Sequence, residues 1–147
     1  MSPPAKPAPV QFYVDADVLG LARILAQVRG DVTYPGDPGG KVKGGRIRAA
    51  CPVADPSTRD DVWIPETARQ GWLVITRDRR IQEHRAEIEA VRVSGARMVT
   101  LAGAEAVDTF HQLEALMCNW RQILLLLDRP GPFIYIATRT TLREFPL

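Results

Sequence analysis

Five aspartates occupy positions from which a chain can assemble a site. Asp15 and Asp17 follow the apolar run Phe12-Tyr13-Val14 in "QFYVDADV", Asp60 and Asp61 open "RDDVWIPETARQG", and Asp78 closes "GWLVITRD". Carboxylates drawn together repel one another, and the repulsion is relieved by protonation or by a bound cation. Oxygen donors without Cys or His among them select Mg²⁺ or Mn²⁺. Such ions activate a water and stabilise a leaving oxygen, which is the chemistry of phosphodiester cleavage. A plainer alternative makes Asp60 or Asp61 a helix cap and Asp78 a turn residue.

The elements around these acids follow from hydrophobic spacing. Trp72-Leu73-Val74-Ile75, opened by Gly71, is a continuous apolar run, as in a central strand covered on both faces. Val18, Leu19, Leu21, Ala22, Ile24, Leu25 and Val28 follow helical spacing, with Gly30 as a stop. "DVTYPG" is a brief second strand. Helix-start residues at Ser57, Thr58, Asp60 and Asp61 and a stop at Gly71 frame another helix, in which Pro65 is acceptable within the first turn. A short helix from His84 to Val93, a strand from Arg97 to Leu101 and a long helix from about Ala104 to Leu127 follow. "FIYIATRTTLREF" ends the chain as a bent strand or a hairpin. The alternation predicts an α/β, three-layer fold with a mostly parallel central sheet flanked by helices. In such sheets the functional crevice lies beyond the carboxyl ends of the strands, where all five acids are expected to meet.

At 147 residues the chain suits one domain, residues 11–147, behind a flexible Pro-rich tail or extended arm at 1–10. Residues 35–58, rich in Gly and Pro and without a period, read as a long loop of a kind that is functional or mobile. Its bases Lys41, Lys43, Arg46 and Arg48 either touch a polyanion or belong to a solvated flap. The net charge of +2 argues for neither nucleic acid nor membrane. Cys51 and Cys118 lack metal-ligand spacing, and His84 and His111 stand alone, so a zinc site and a disulfide framework are not expected. Without a signal peptide or an apolar run of about 18 residues, a soluble cytoplasmic protein with no membrane partner is expected.

"FYVDADVLG" and "RDDVWIPETARQGWLVITRDRRI" together resemble the PIN-like nuclease superfamily, and most nearly its compact branch of VapC-type toxins. That branch carries an acid after the first strand, a "D…A…GW" helix and a "TRD" strand end. The likeness runs from Phe12 to "GPFIYIA". It implies a metal-dependent endoribonuclease in which Asp15, Asp61 and Asp78 are catalytic and hold Mg²⁺ or Mn²⁺, with Asp17 and Asp60 as further candidate ligands. Thr76 would support the site by tying its hydroxyl to Asp78. Arg77, Arg79 and Arg80 would grip RNA phosphates, unless one of them serves to neutralise Asp78 when metal is absent. The likeness also implies the toxin of a type II toxin–antitoxin pair, with RNA as substrate, a cognate antitoxin as partner and a candidate homodimer.

Two features depart from the fuller pattern. The long Gly/Pro segment exceeds the usual connection, and "RRIQEHRAEIE" offers only Glu83 and Glu87 toward a fourth acid, neither at a strand end. Two rival readings remain. "VDADV" also fits the nucleophile motif of haloacid-dehalogenase phosphatases, but that family needs a later lysine, and every lysine here precedes residue 44. A non-catalytic PIN-like RNA- or protein-binding domain would be marked by loss of one of the three acids, and none is lost. The stripe of Phe110, Leu113, Leu116, Met117, Trp120, Ile123 and Leu124 is expected to be core. The C-terminal strand offers an edge for a second copy or an antitoxin.

Overall fold

Alternating strands and amphipathic helices build one six-stranded sheet with helices on both faces. The computed structural model describes residues 4–77, 85–103 and 106–147. In chain order the elements are β1 (Phe12–Val14), a 3₁₀ turn (Ala16–Val18), α1 (Leu19–Val28), β2 (Val32–Thr33), β3 (Gly40–Lys41), β4 (Ile47–Arg48) and α2 (Asp60–Gln70). They continue with β5 (Leu73–Arg77), α3 (Arg85–Ser94), β6 (Arg97–Leu101), α4 (Thr109–Cys118), α5 (Trp120–Leu126), β7 (Phe133–Ala137) and β8 (Leu142–Phe145). The strand order is β2-β1-β5-β6-β7-β8, parallel throughout except for the closing β7–β8 hairpin. This is the mostly parallel three-layer α/β arrangement that the sequence pattern predicts.

Period-two alternation divides the strand side chains between two cores. Phe12, Val14, Leu73, Ile75, Val99 and Leu101 pack with residues of α1, α4 and α5 on one face. Tyr13, Val74, Met98 and Ile134 pack on the other with Trp63, Ile64 and Val91 from α2 and α3. β5 lies between β1 and β6, and Leu73, Val74 and Ile75 are all fully buried. Burial of each such side chain is worth about 1.5–3 kcal/mol, which anchors the strand that carries Thr76. Gly71 ends α2 in the left-handed conformation (φ 76°), so the chain reverses into β5 within one residue. Pro65 falls past the first turn of α2; the carbonyl left without its amide partner belongs to solvent-exposed Asp61.

Two local expectations need correction. The long helix expected to run on to Leu127 is two helices, broken at Asn119. The Asn119 side-chain amide donates to the Ala115 carbonyl (2.8 Å) and to the Thr138 carbonyl (2.7 Å), tying the break to the end of β7. The 35–58 segment is not structureless, because β3 and β4 pair as an antiparallel hairpin. The extended arm runs along this hairpin, with the Ala8 amide donating to the Ile47 carbonyl (2.8 Å) and the Ile47 amide to the Lys6 carbonyl (2.9 Å). A buried ion pair fixes the hairpin: Arg48 Nε and Nη2 donate to the two carboxylate oxygens of Asp37 at 2.8 and 3.0 Å. The Thr33 hydroxyl and the Gly39 amide complete the Asp37 shell, each at 2.9 Å. Among the described residues, no helix is long and apolar enough to cross a membrane.

Asp37 is fully buried and Arg48 nearly so, so removing one partner leaves an uncompensated charge. Arg48→Met is expected to cost about 3–5 kcal/mol in urea unfolding, and adding Asp37→Asn to it should restore part of that loss. Additive losses in the double variant would contradict the pairing.

Candidate active site

The register of β1 on β5 brings the first acids together. Val14 pairs with Ile75, and the ladder runs one bond further, from the Asp15 amide to the Ile75 carbonyl at 2.9 Å. The chain then tightens into the 3₁₀ turn, which Asp15 caps by accepting the Ala16 amide on Oδ1 at 2.6 Å. The Thr76 hydroxyl donates to Asp15 Oδ2 at 3.0 Å and lies 3.3 Å from Asp17 Oδ1. Among the described residues the Thr76 hydroxyl thus meets Asp15 and Asp17; the expected tie to Asp78 lies outside the described residues. A hydroxyl carries a single proton, so Thr76 serves one carboxylate fully and leaves the other short.

That shortage shows in the acid strengths. Burial raises the Asp15 carboxyl, against the Ala16 amide and the Thr76 hydroxyl, which favour its charged form. Asp17 is pushed up to about 7, first by burial, then by the charge of Asp15 and its hydrogen bond with Asp15, with Thr76 and Arg77 opposing. Asp17 is exposed to solvent where it lines the cleft, and that screening moderates the shift.

The opposite wall comes from α2 and α3. Asp60 Oδ1 accepts the indole N–H of Trp63 at 2.9 Å. Trp63 stacks on Tyr13 at 5.3 Å, and Tyr13 in turn on Trp72 at 6.0 Å. A ring stack therefore ties the α2 acid to β1. Burial first, and then the charge of Asp15, raises the Tyr13 phenol, so it stays neutral. Glu87, in the first turn of α3, is buried and lines the same cavity. The cleft has a volume of about 270 Å³, with Asp15, Asp17, Asp60, Thr76, Arg77 and Glu87 in its lining.

Thus the structure gathers Asp15, Asp17, Asp60, Thr76 and Arg77. Asp61 is not gathered: its side chain is 62% exposed and pairs with Arg59 at 3.1 Å. Successive helical residues point about 100° apart, so one member of the Asp60-Asp61 pair faces inward, and the Trp63 indole holds Asp60 there. Asp78, Arg79 and Arg80 lie outside the described residues, as do Glu83 and His84. Lys43 and Arg46 line a separate hollow of about 390 Å³ with Gln11 and Asp31, which precede β1 and β2. Lys41 lines a neighbouring one with the end of α1, so this basic hairpin stands at the amino edge of the sheet, away from the acids. Arg48 leaves the RNA-facing set, because its guanidinium is committed to Asp37. His111 pairs with Asp108, the N-cap of α4.

Glu87 is the acid that strand-end reasoning passed over. Its signal is an ionisable residue on the buried face of an amphipathic helix, one turn before Val91. The donor set is all oxygen and suits a hard divalent cation, whose charge would relieve the Asp15–Asp17 repulsion. Among the described residues, no group of three or more His, Cys, Asp or Glu side chains stands close enough to hold an ion by itself.

Residues 41–103 match the family model described as a PIN-like domain. The matched span runs from β3 past β6 and contains Asp60, Thr76 and Glu87, whereas Asp15 and Asp17 precede it. PIN-like domains are generally nucleases and use divalent metals. No curated protein and no solved structure matches the chain.

The raised acids have a consequence for stability. Between the ordinary Asp value, about 4, and neutrality, this pair binds more protons in the folded protein than in the unfolded chain, so its contribution to metal-free stability falls as pH rises. Asp17→Asn removes that cost. In chelator, calorimetry should give it a Tm above wild type at pH 8 and a smaller gap at pH 5. A gap independent of pH would disprove the coupling.

Proposed function

We propose, from the premise that this chain carries a PIN-like domain, that it is a Mg²⁺- or Mn²⁺-dependent endoribonuclease acting on RNA phosphodiesters. The observation that carries this reading is the Asp15–Thr76–Asp17 cluster, which shares one cleft with Asp60 and Glu87 at the carboxyl edge of a parallel sheet.

The adjacent carboxylates of Asp15 and Asp17 would hold the cation, with Asp78 added on the strength of the "TRD" likeness and Asp60 facing it from the opposite wall. A bound divalent ion lowers the pKa of a water and polarises the scissile phosphate. The protein's own side chains do the positioning. Thr76 and the Ala16 amide fix the two oxygens of Asp15, so that carboxylate loses little freedom when it takes up a ligand. Trp63 fixes Asp60 in the same way. Arg77 lines the cleft with one guanidinium nitrogen tethered to the Ala106 and Val107 carbonyls, at 3.4 and 3.2 Å. A guanidinium has five N–H donors, and those left over suit a phosphate flanking the cut. The finer reading as the toxin of a toxin–antitoxin pair, with an antitoxin partner, extends this proposal from the sequence likeness. The phosphatase reading gains no support, since Lys41 and Lys43 belong to the hairpin at the amino edge.

The test is cleavage of a single-stranded RNA in Mg²⁺ and in Mn²⁺. Asp15→Asn, Asp60→Asn and Asp78→Asn should each lose about a hundredfold or more in rate. Asp61→Asn should stay within about threefold of wild type, as befits an exposed salt-bridge partner. A wild-type chain that cuts in neither ion sinks the proposal, and a severe Asp61→Asn defect would return the ligand role to that residue.

A further inference from the structure

An exposed apolar side chain by itself means little; the placement of Phe110 beside the cleft means more. Phe110 is 72% exposed and Val107 is 49% exposed. The segment that presents them is held from both sides of the site. Arg77, in the cleft wall, donates to the Ala106 and Val107 carbonyls. Thr109 abuts Gly20, just beyond the turn that carries Asp17, so closely that a Cβ on Gly20 would come within 2.6 Å of its Oγ1. The backbone that bears the ring is capped as well, with Asp108 Oδ1 accepting the His111 amide at 2.9 Å. The Phe110 ring meets the His111 ring at 5.7 Å and 90°. An exposed aromatic ring thus projects from a segment tied to the cleft wall through Arg77 and to the Asp17 turn through Thr109, beside the exposed polar side chains of Asp108 and His111.

We propose that Phe110, with Val107 beside it, is a stacking platform for an unpaired base of the RNA whose scissile phosphate enters the cleft. The inference rests on the nuclease reading and deepens it by naming the side chains that would hold an unpaired base. A polar-rimmed patch of this kind suits one base better than a packed protein helix, which needs a continuous apolar stripe. Stacking accepts any base, because each has a π-face, but it requires that the base be free of its partner strand. The platform therefore favours single strands over duplex without reading their sequence.

The test is equilibrium binding of a fluorescein-labelled single-stranded RNA decamer to the full chain bearing Asp15→Asn, alongside cleavage by the otherwise wild-type chain. Phe110→Ala should weaken binding roughly ten- to a hundredfold with an unchanged Tm. Phe110→Trp should retain affinity, and an abasic decamer should bind the parent and its Phe110→Ala variant alike. If the wild-type chain cuts RNA but Phe110→Ala binds within about twofold of its parent, the platform is overturned and the nuclease reading stands. An equal loss on abasic RNA also overturns it. So does a change in sedimentation without a change in RNA affinity, which would assign the ring to contact between copies. A wild-type chain that neither binds nor cuts RNA removes both proposals.

Discussion

Parallel pairing of β1 with β5 couples the core of this protein to its chemistry. The ladder places Val14 against Ile75, and its last bond, from the Asp15 amide to the Ile75 carbonyl, sets Asp15 beside Thr76. A slip of one residue would turn each buried strand side chain to the other face. Phe12, Val14, Leu73 and Ile75 would then lose their shared core with α1, and Thr76 would leave the acids. Register is thus held by apolar burial, while the site that depends on it is polar. The two-core arrangement, more than any hydrogen bond inside the cleft, keeps the carboxylates where they are.

The same arrangement carries a cost. Burial and mutual repulsion work against the charged forms of Asp15 and Asp17, and the hydrogen bonds available to them only partly compensate. A cluster of this kind costs the fold stability, a cost that the proposed cation site would account for. Elsewhere the chain treats buried charge differently. Asp37 meets a guanidinium, a hydroxyl and an amide, and its reward is a fixed hairpin. The contrast between the saturated Asp37 and the underserved Asp15–Asp17 pair separates a structural carboxylate from the two proposed to act in the site.

Much of this was legible in sequence, for physical reasons. The apolar run Leu73–Ile75 can be satisfied only with both faces covered, which fixes a central strand and a crevice at its carboxyl end. "VDADV" and "TRD" mark strand ends, so Asp15 and Asp17 could be assigned to that crevice. Other features depended on contacts that no local pattern encodes. Choosing between Asp60 and Asp61 required the phase of α2 against the sheet, which the bond from Trp63 to Asp60 reveals. Glu87 lies on a helix, where a search for acids at strand ends does not look. The hairpin of β3 and β4 has two-residue strands with no period, held by an ion pair between residues 37 and 48. The break at Asn119 interrupts an apolar stripe that reads as continuous, because the carbonyl that rewards it comes from Thr138 at the far end of β7.

The distribution of charge constrains how a polyanion approaches. Acids converge at the carboxyl edge, while Lys43 and Arg46 stand with Gln11 and Asp31 at the amino edge, too far round the sheet to neutralise them. Arg59 lies near the cleft but is engaged with Asp61. Attraction at the cleft must therefore come from groups other than its carboxylates. Arg77 offers charge, and Phe110 offers an uncharged surface indifferent to the sign of its surroundings. Stacking is less sensitive to salt than phosphate contacts, which weaken steeply as counterions compete. On the proposed reading, the exposed ring should then grip unpaired bases at ionic strengths that loosen the hold on phosphate. On that reading the acids act through the cation they would hold and not by attracting RNA themselves.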